Sequence, residues 1–364
     1  MRDDPALPLI FTRDEALAAG LSRHQIAHRV RTRSWRSLRR TVYIQERRYA
    51  GLTSREQHAT AVVATLLARS DRGATGHLGD VVASHLSAAL AFGWVLPLAG
   101  AGPVTLTDGH LDAPTRRTQS LTVQVASLTS ADVGTRNVDI AGTRWEIRAT
   151  SRARTVADNL RHLSNAEGVA LADSALRQAR VSYEQIAAVL RRQSCWPYAA
   201  NASRALPLVD PRRESWLESY SFVRLHQLGL VMPEPQVSLF DARGRFVGRV
   251  DGWLPGEAVA LEPDGREKYF LGGQELSADV DVASDELLER ARRRILEEKE
   301  RRDRIVDLGA ELTRWGTREI VRSPDAVLAR ITAAQVRGDL SRFTGRTAYL
   351  PAPAWFLPTR RQAC

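Results

Sequence analysis

Asp251, Glu262, Asp264 and Lys268 lie close together in the sequence and are the residues best suited to chemistry. Asp251 falls near the end of one strand-like run, Arg245-Phe-Val-Gly-Arg-Val-Asp251-Gly-Trp. Glu262 ends the next, Glu257-Ala-Val-Ala-Leu-Glu262. Carboxylates at the ends of neighbouring strands can share a hard divalent cation such as Mg2+. Such a cation polarises a phosphate and generates hydroxide, and a nearby ammonium stabilises the charge that develops. Glu218, on a helix predicted upstream, can complete the carboxylate cluster. Of the 52 basic residues only Lys268 and Lys299 are lysines, so the remaining 50 are arginines. A lysine kept in such a chain is expected where a compact ammonium serves and a planar guanidinium fails. The competing reading is a site without chemistry, its acids paired to arginines, because ion-pair networks make similar clusters.

The elements that must position these residues follow from pattern. Glu214-Ser-Trp-Leu-Glu218 opens an amphipathic helix ending near Gly229, and Gln236-Val-Ser-Leu-Phe alternates as a strand. Asp241-Ala-Arg-Gly is a turn into the Arg245 strand. A long helix is predicted from Glu286 to Leu308, then a strand from Ala310 to Trp315. Helix, three strands, helix, strand is the order of a restriction-endonuclease-like α/β core, expected over residues 214–345 with a tail at 346–364. The string Asp251…Glu262-x-Asp264-Gly-x-x-Lys268-Tyr resembles the very-short-patch-repair-like branch of the PD-(D/E)-x-K nucleases. That resemblance implies catalytic roles for Glu218, Asp251, Glu262, Asp264 and Lys268, with Asp251 and Glu262 as metal ligands. Two features depart from it: lysine comes six residues after Glu262 rather than two, and Pro263 stands where an aromatic is usual. Glu298-Lys299-Glu-Arg-Arg302-Asp303 resembles the helix motif of the same branch, and Thr313-Arg314-Trp315 its following strand. Alternating charges on that helix are equally the pattern of intrahelical ion pairs.

Charge is concentrated at the other end. The chain carries +10 overall, and residues 21–50 hold nine arginines against one acid, Glu46. A basic block confined to a small segment points to a polyanion, most simply duplex DNA. Thr12 and Glu15 predict a capped first helix ended by Gly20; Ser22 caps a second that runs through Ile26 and Val30 towards Arg33. Trp35, Leu38, Val42 and Ile44 predict a hairpin with Arg39-Arg40-Thr41 at its tip. Helix, glycine turn, basic helix and hairpin is the order of a winged helix-turn-helix, expected over residues 1–50. Arg23, His24, His28, Arg29, Arg31, Arg33, Arg36, Arg39 and Arg40 are the candidate DNA contacts.

Phe11-Thr-Arg-Asp-Glu-Ala-Leu-Ala-Ala-Gly-Leu-Ser-Arg and the later Arg-Ser-Trp-Arg-Ser-Leu-Arg-Arg-Thr-Val-Tyr resemble the N-terminal domain of AbiEi-type (type IV) antitoxins. Thr41 stands where glycine is usual. The resemblance implies an autorepressing transcription regulator of a toxin–antitoxin system, paired with a nucleotidyltransferase toxin. Ser84-His-x-Ser-Ala-Ala and Ala-Arg-Thr-Val-Ala-Asp158 resemble the middle region of the same family, expected as an α/β domain over residues 51–195. Ser84, His85 and Asp158 lack nucleophile-elbow glycines, so helix capping and core packing are expected of them. Trp196-Pro197 and Pro207 to Pro211 suggest a linker at 196–213.

Together these give an α+β multidomain protein. Two cysteines exclude a disulfide framework, and an acidic start excludes a basic secretory n-region, so a cytoplasmic location is expected. The uncharged stretch from Val81 to Thr107 is interrupted by His85, Pro97 and Pro103, which favours a buried helix, a turn and a strand over a membrane span. The alternative function to a repressor is a Mg2+-dependent endonuclease targeted by its basic helix.

Overall fold

A computed structural model describes residues 7–70, 81–94, 100, 102–264 and 285–351. It is a mixed α+β protein with three sheets among these residues. The chain divides into two compact units, Met1–His162 with Arg180–Pro197, and Leu163–Ala179 with Tyr198–Cys364. Among the described residues no helix is long and apolar enough to cross a membrane.

The first unit starts with β1 (Ile10–Thr12), α1 (Arg13–Ala18) and α2 (Arg23–Arg31), followed by β2 (Trp35–Arg39) and β3 (Val42–Gln45). Both helix starts are set by local hydrogen bonds. Thr12 Oγ1 accepts from the Glu15 amide, and the Glu15 carboxylate accepts from the Thr12 amide at 2.6 Å; Ser22 and Gln25 repeat the box. The three strands form an antiparallel sheet ordered β1-β3-β2. Phe11, Trp35 and Tyr43 meet over it, with the Phe11 and Trp35 rings edge to face at 4.6 Å, and Ala16 and Ile26 close the core. Thr41 at the hairpin tip has φ 73°, the left-handed conformation in which glycine is unstrained. α2 stops two residues short of the predicted end, because Arg33 turns left-handed (φ 56°).

α3 (Glu46–Ala50) and α4 (Ser54–Ser70) lead into a six-stranded sheet of order β6-β7-β5-β4-β9-β8. Its strands are β4 (Val81–Ala83), β5 (Val104–Asp108), β6 (Arg116–Arg117), β7 (Leu121–Val125), β8 (Val133–Ile140) and β9 (Thr143–Thr150). α5 (His85–Ala91), α6 (Arg152–His162) and α8 (Tyr183–Arg192) belong to the same unit, and α7 (Asn165–Arg177) to the second. Residues 1–50 and the segment after them fall in one compact unit. Arg39 ties them together, donating to Thr65 Oγ1 of α4 and to the Ser120 carbonyl.

In the second unit the expected linker is structured: it holds α9 (Ala199–Ala205), and Ala202, Ala205, Val209, Asp210 and Arg213 are buried. The reason is a polar tie to α7. Asp173 accepts from the Asp210 amide at 2.7 Å and meets Arg213 at 3.4 Å. Then come α10 (Trp216–Gln227), β10 (Glu234–Phe240), β11 (Phe246–Leu254) and β12 (Val259–Pro263). α11 (Asp285–Asp307), β13 (Glu311–Trp315), α12 (Thr317–Arg322), α13 (Pro324–Arg337) and β14 (Arg346–Ala348) complete it. The sheet runs β13-β12-β11-β10-β14; β10, β11 and β12 form an antiparallel meander, and β13 joins β12 in parallel. Phe222 of α10 sits on Gly252 of β11, where a Cβ would lie 2.6 Å from the ring, so this strand position admits only glycine at the observed helix–sheet distance.

Candidate functional site

The register of the second sheet brings the predicted carboxylates together. Gly252 pairs with Leu261, which sets Asp251 beside Glu262, and the parallel ladder pairs Glu262 with Arg314. A pocket of about 340 Å3 opens here, lined by Asp251, Glu262, Asp264 and Glu298 and by Arg249, Arg301 and Arg314. Asp264 is fixed by its amide, which donates to the Trp315 carbonyl at 2.8 Å. Lys268 lies outside the described residues.

The carboxylates have different surroundings. Glu262 is buried; Arg301 reaches one of its oxygens at 2.8 Å and Arg314 contacts the other. Both arginines also hold Glu298, 2.8 Å from Arg301, and despite burial their hydrogen bonds pull its pKa down to about 2. Glu218 accepts from the Glu214 amide and from Gln236 Nε2, each at 2.8 Å, so it serves the start of its own helix and a neighbouring strand. Among the described residues Asp251 receives only a long hydrogen bond, from Gln236 Nε2 at 3.4 Å. Burial first, then the charges of Glu218 and Glu262, push its pKa up to about 7. Gln236, which links the two acids, is itself buried at a left-handed φ of 56°.

Two adjacent carboxylates in an open polar pocket fit Mg2+, which is typically held by one or two carboxylates while keeping several waters. The crowded Asp251 carboxyl is the donor such a cation would relieve. At Glu262 it would have to compete with two guanidinium groups. Among the described residues no three His, Cys, Asp or Glu side chains converge as a metal cage. Arg249 and Arg301 were missed by sequence reasoning, and Glu298 was singled out only as the start of a helix motif. The Glu298–Arg301 spacing was a signal for an ion pair, but not for one facing a pocket.

In the first unit, α2 buries Ile26 alone. Arg23, His24, His28 and Arg31 are exposed, as are Arg33, Arg36 and Arg40 beside them. Three of the expected contacts have structural work. Arg29 lies 5.3 Å over the Trp35 ring; Arg36 pairs with Glu46 at 2.8 Å and stacks on Tyr49; Arg39 is tied to Thr65 and Ser120.

Ser84, His85 and Asp158 lie in a buried polar network. Asp158 is fully buried and accepts from Arg154, Arg161 and Gln193 at 2.7–3.1 Å, while both arginines stack on Trp196. His85 Nδ1 lies 2.9 Å from Ser84 Oγ, and the His85 ring is edge to face with His162 at 4.7 Å. Ser84 occupies the start of α5 without capping it, since its hydroxyl is turned to His85; core packing is the role that stands. In comparisons with known proteins, no family model and no curated protein matches the chain.

Proposed function

We propose that the chain is a DNA-binding regulator that holds duplex DNA through α2 and the β2–β3 hairpin, acting as a winged helix-turn-helix. The observation that carries this reading is the exposed row Arg23, His24, His28 and Arg31 on a helix that buries one residue, with Arg33 and Arg40 alongside. Side chains near the helix N-terminus meet base edges, and the flanking arginines meet phosphates. The resemblance to AbiEi-type antitoxins extends the proposal to autorepression, with a nucleotidyltransferase toxin as protein partner. Replacing Arg23, Arg31 and Arg33 together with alanine should weaken duplex binding and reduce the slope of log affinity against log salt by roughly 2 to 3, at about 0.9 per phosphate no longer neutralised. An unchanged slope in a fluorescence titration would move the DNA surface elsewhere.

A second reading is favoured by the pocket of the second unit. Its order of helix, antiparallel meander, helix and parallel strand supports a restriction-endonuclease-like core. Asp251 and Glu262 would hold Mg2+, which when bound supplies phosphate polarisation and an activated water. Arg301 and Arg314 keep the carboxylate of Glu262 oriented, and Asp251 must lose its proton to act as a ligand. Lys268 would stabilise the developing charge. A magnesium-dependent plasmid-nicking assay tests this, with Glu262→Gln as the inactive control and Lys268→Arg expected to bind DNA but cut slowly. Wild type as inert as Glu262→Gln leaves the regulator without nuclease chemistry.

A further inference from the structure

Next to the hairpin tip, the first unit holds a pocket of about 210 Å3 whose lining carries four arginines and, among the described residues, no carboxylate. Arg39 and Arg40 come from the hairpin, Arg69 from α4 and Arg116 from the edge strand β6; Thr65 and Thr118 add hydroxyls. Arg39 anchors the site. Its Nε donates to Thr65 Oγ1 at 2.8 Å, and its terminal nitrogens donate to the Leu38 and Ser120 carbonyls at 3.0 and 3.2 Å. These bonds use three of the five guanidinium N–H donors and leave two for a ligand. Its partners are thus neutral oxygens, and burial alone moves its pKa, downward. A half-buried cation without a counter-charge is costly, and a bound anion offsets that cost.

The size limits the anion. Sites for drug-sized ligands span roughly 300–1,000 Å3, so this pocket takes a compact group. Guanidinium forks match the paired oxygens of phosphate and carboxylate but not a halide, and a site of four arginines suits the greater charge and three acceptor oxygens of a phosphate group over a single carboxylate. We infer that the pocket formed by Arg39, Arg40, Arg69 and Arg116 binds the phosphate group of a phosphorylated ligand. The phosphate comes either from a free phosphate ester or from the backbone of DNA. Arg69 and Arg116 lie on elements outside α1, α2 and the hairpin, so the inference does not require α2 to read DNA.

The test uses the full chain, as wild type, Arg69→Gln/Arg116→Gln and Arg116→Gln. The single variant, at an exposed position, supplies the reading where the double one does not fold. In one arm, hydrogen exchange of peptides from the hairpin and α4, which reports the first unit alone, is followed with sodium phosphate or adenosine monophosphate against sodium chloride of equal ionic strength. At roughly ten times Kd the ligand should raise the folded-to-unfolded ratio of wild type about elevenfold, with the effect abolished in the variants. In the other arm, a labelled duplex is titrated in phosphate-free buffer across a salt series. The double variant should flatten the log–log slope by about 0.9 for each phosphate it no longer neutralises, and the single variant by about half as much as the double. An effect in the first arm assigns a free ester, and an effect in the second alone assigns the DNA backbone. Chloride matching phosphate in the first arm, together with unchanged slopes in the second, overturns the inference.

Discussion

Asp251→Asn should stabilise the second unit at pH 8 and leave it nearly unchanged at pH 4. The substitution keeps the size of the side chain and removes a charge that its surroundings disfavour. Burial and the neighbouring Glu218 and Glu262 raise the pKa of Asp251 to about 7. An unfolded aspartate titrates near 4, and a displacement of about three units corresponds to roughly 4 kcal/mol at ~1.4 kcal/mol per unit, an upper bound for a partly open pocket. The sign follows from proton binding. Between about pH 4 and pH 7 the native carboxyl keeps a proton that the unfolded chain has released, so stability falls as pH climbs through that window. Asparagine has no such window. Asp173, fully buried in the same unit, also has a pKa of about 7, but it is present in both proteins and cancels from their difference.

Because the chain has two compact units, a global melt would mix their transitions. Hydrogen exchange of peptides spanning β11 and β12 reports this unit alone. Protection of those strands in Asp251→Asn should exceed wild type at pH 8, after correction for the intrinsic pH dependence of exchange, and match it at pH 4. A difference of equal size at both pH values, or wild type more protected at pH 8, would show that Asp251 is not a crowded, disfavoured charge.

Three further outcomes follow from the same structure. Magnesium should raise the exchange protection of β11 and β12 in wild type and raise it less in Asp251→Asn; equal rises in both would remove Asp251 from any cation site. Gly252→Ala should cost about 1–3 kcal/mol in urea unfolding, since its Cβ would meet the buried Phe222 ring at 2.6 Å, and a neutral result would mean that α10 can lift off β11. Burial lowers the pKa of His58 and of His85 to about 4, so the first unit should lose stability as pH falls from about 6.5 to about 4; peptides from α4 and α5 with constant protection across that range would contradict their neutral burial.

The parts of this structure that could be read in the sequence are those whose cause is local. Thr12 with Glu15, and Ser22 with Gln25, announce their helices because a capping box is completed within four residues. The β10–β11 hairpin follows from Asp241 at its turn, whose carboxylate accepts from the amides of Arg243 and Arg245. β8, β13 and α11 show where locality ends. β13 and α11 were legible from length and pattern, whereas β8 was missed because its exposed residues give it little apolar contrast and its pairing with β9 holds it in place. The order within 196–213 was hidden for a related reason: prolines signal a break in regular structure, but not whether Asp173, far away in sequence, will bury the break. In the candidate site, the positions of Asp251 and Glu262 could be read from strand order. The arginines around Glu262 could not, because α11 and β13 deliver them from a distance.

Arginine abundance hides the functional positions, and burial together with partner identity separates them again. Arg154 and Arg161 are buried against Asp158 and Trp196, and Arg301 and Arg314 are half-buried against Glu262 and Glu298; in each case a carboxylate accounts for the charge. Exposed arginines such as Arg23 and Arg31 cost little to keep, so their exposure alone distinguishes contact from solvation only when they form a row on one helix face. Arg39 belongs to neither group. It is half-buried, bonded to neutral oxygens, and placed among three further arginines. A scaffold that needed only its hydrogen bonds could use an uncharged donor at lower cost in desolvation. Keeping the charge there is intelligible when an anion completes the pocket, which makes the four-arginine cluster a more discriminating test of phosphate recognition than the net charge of the whole N-terminal segment.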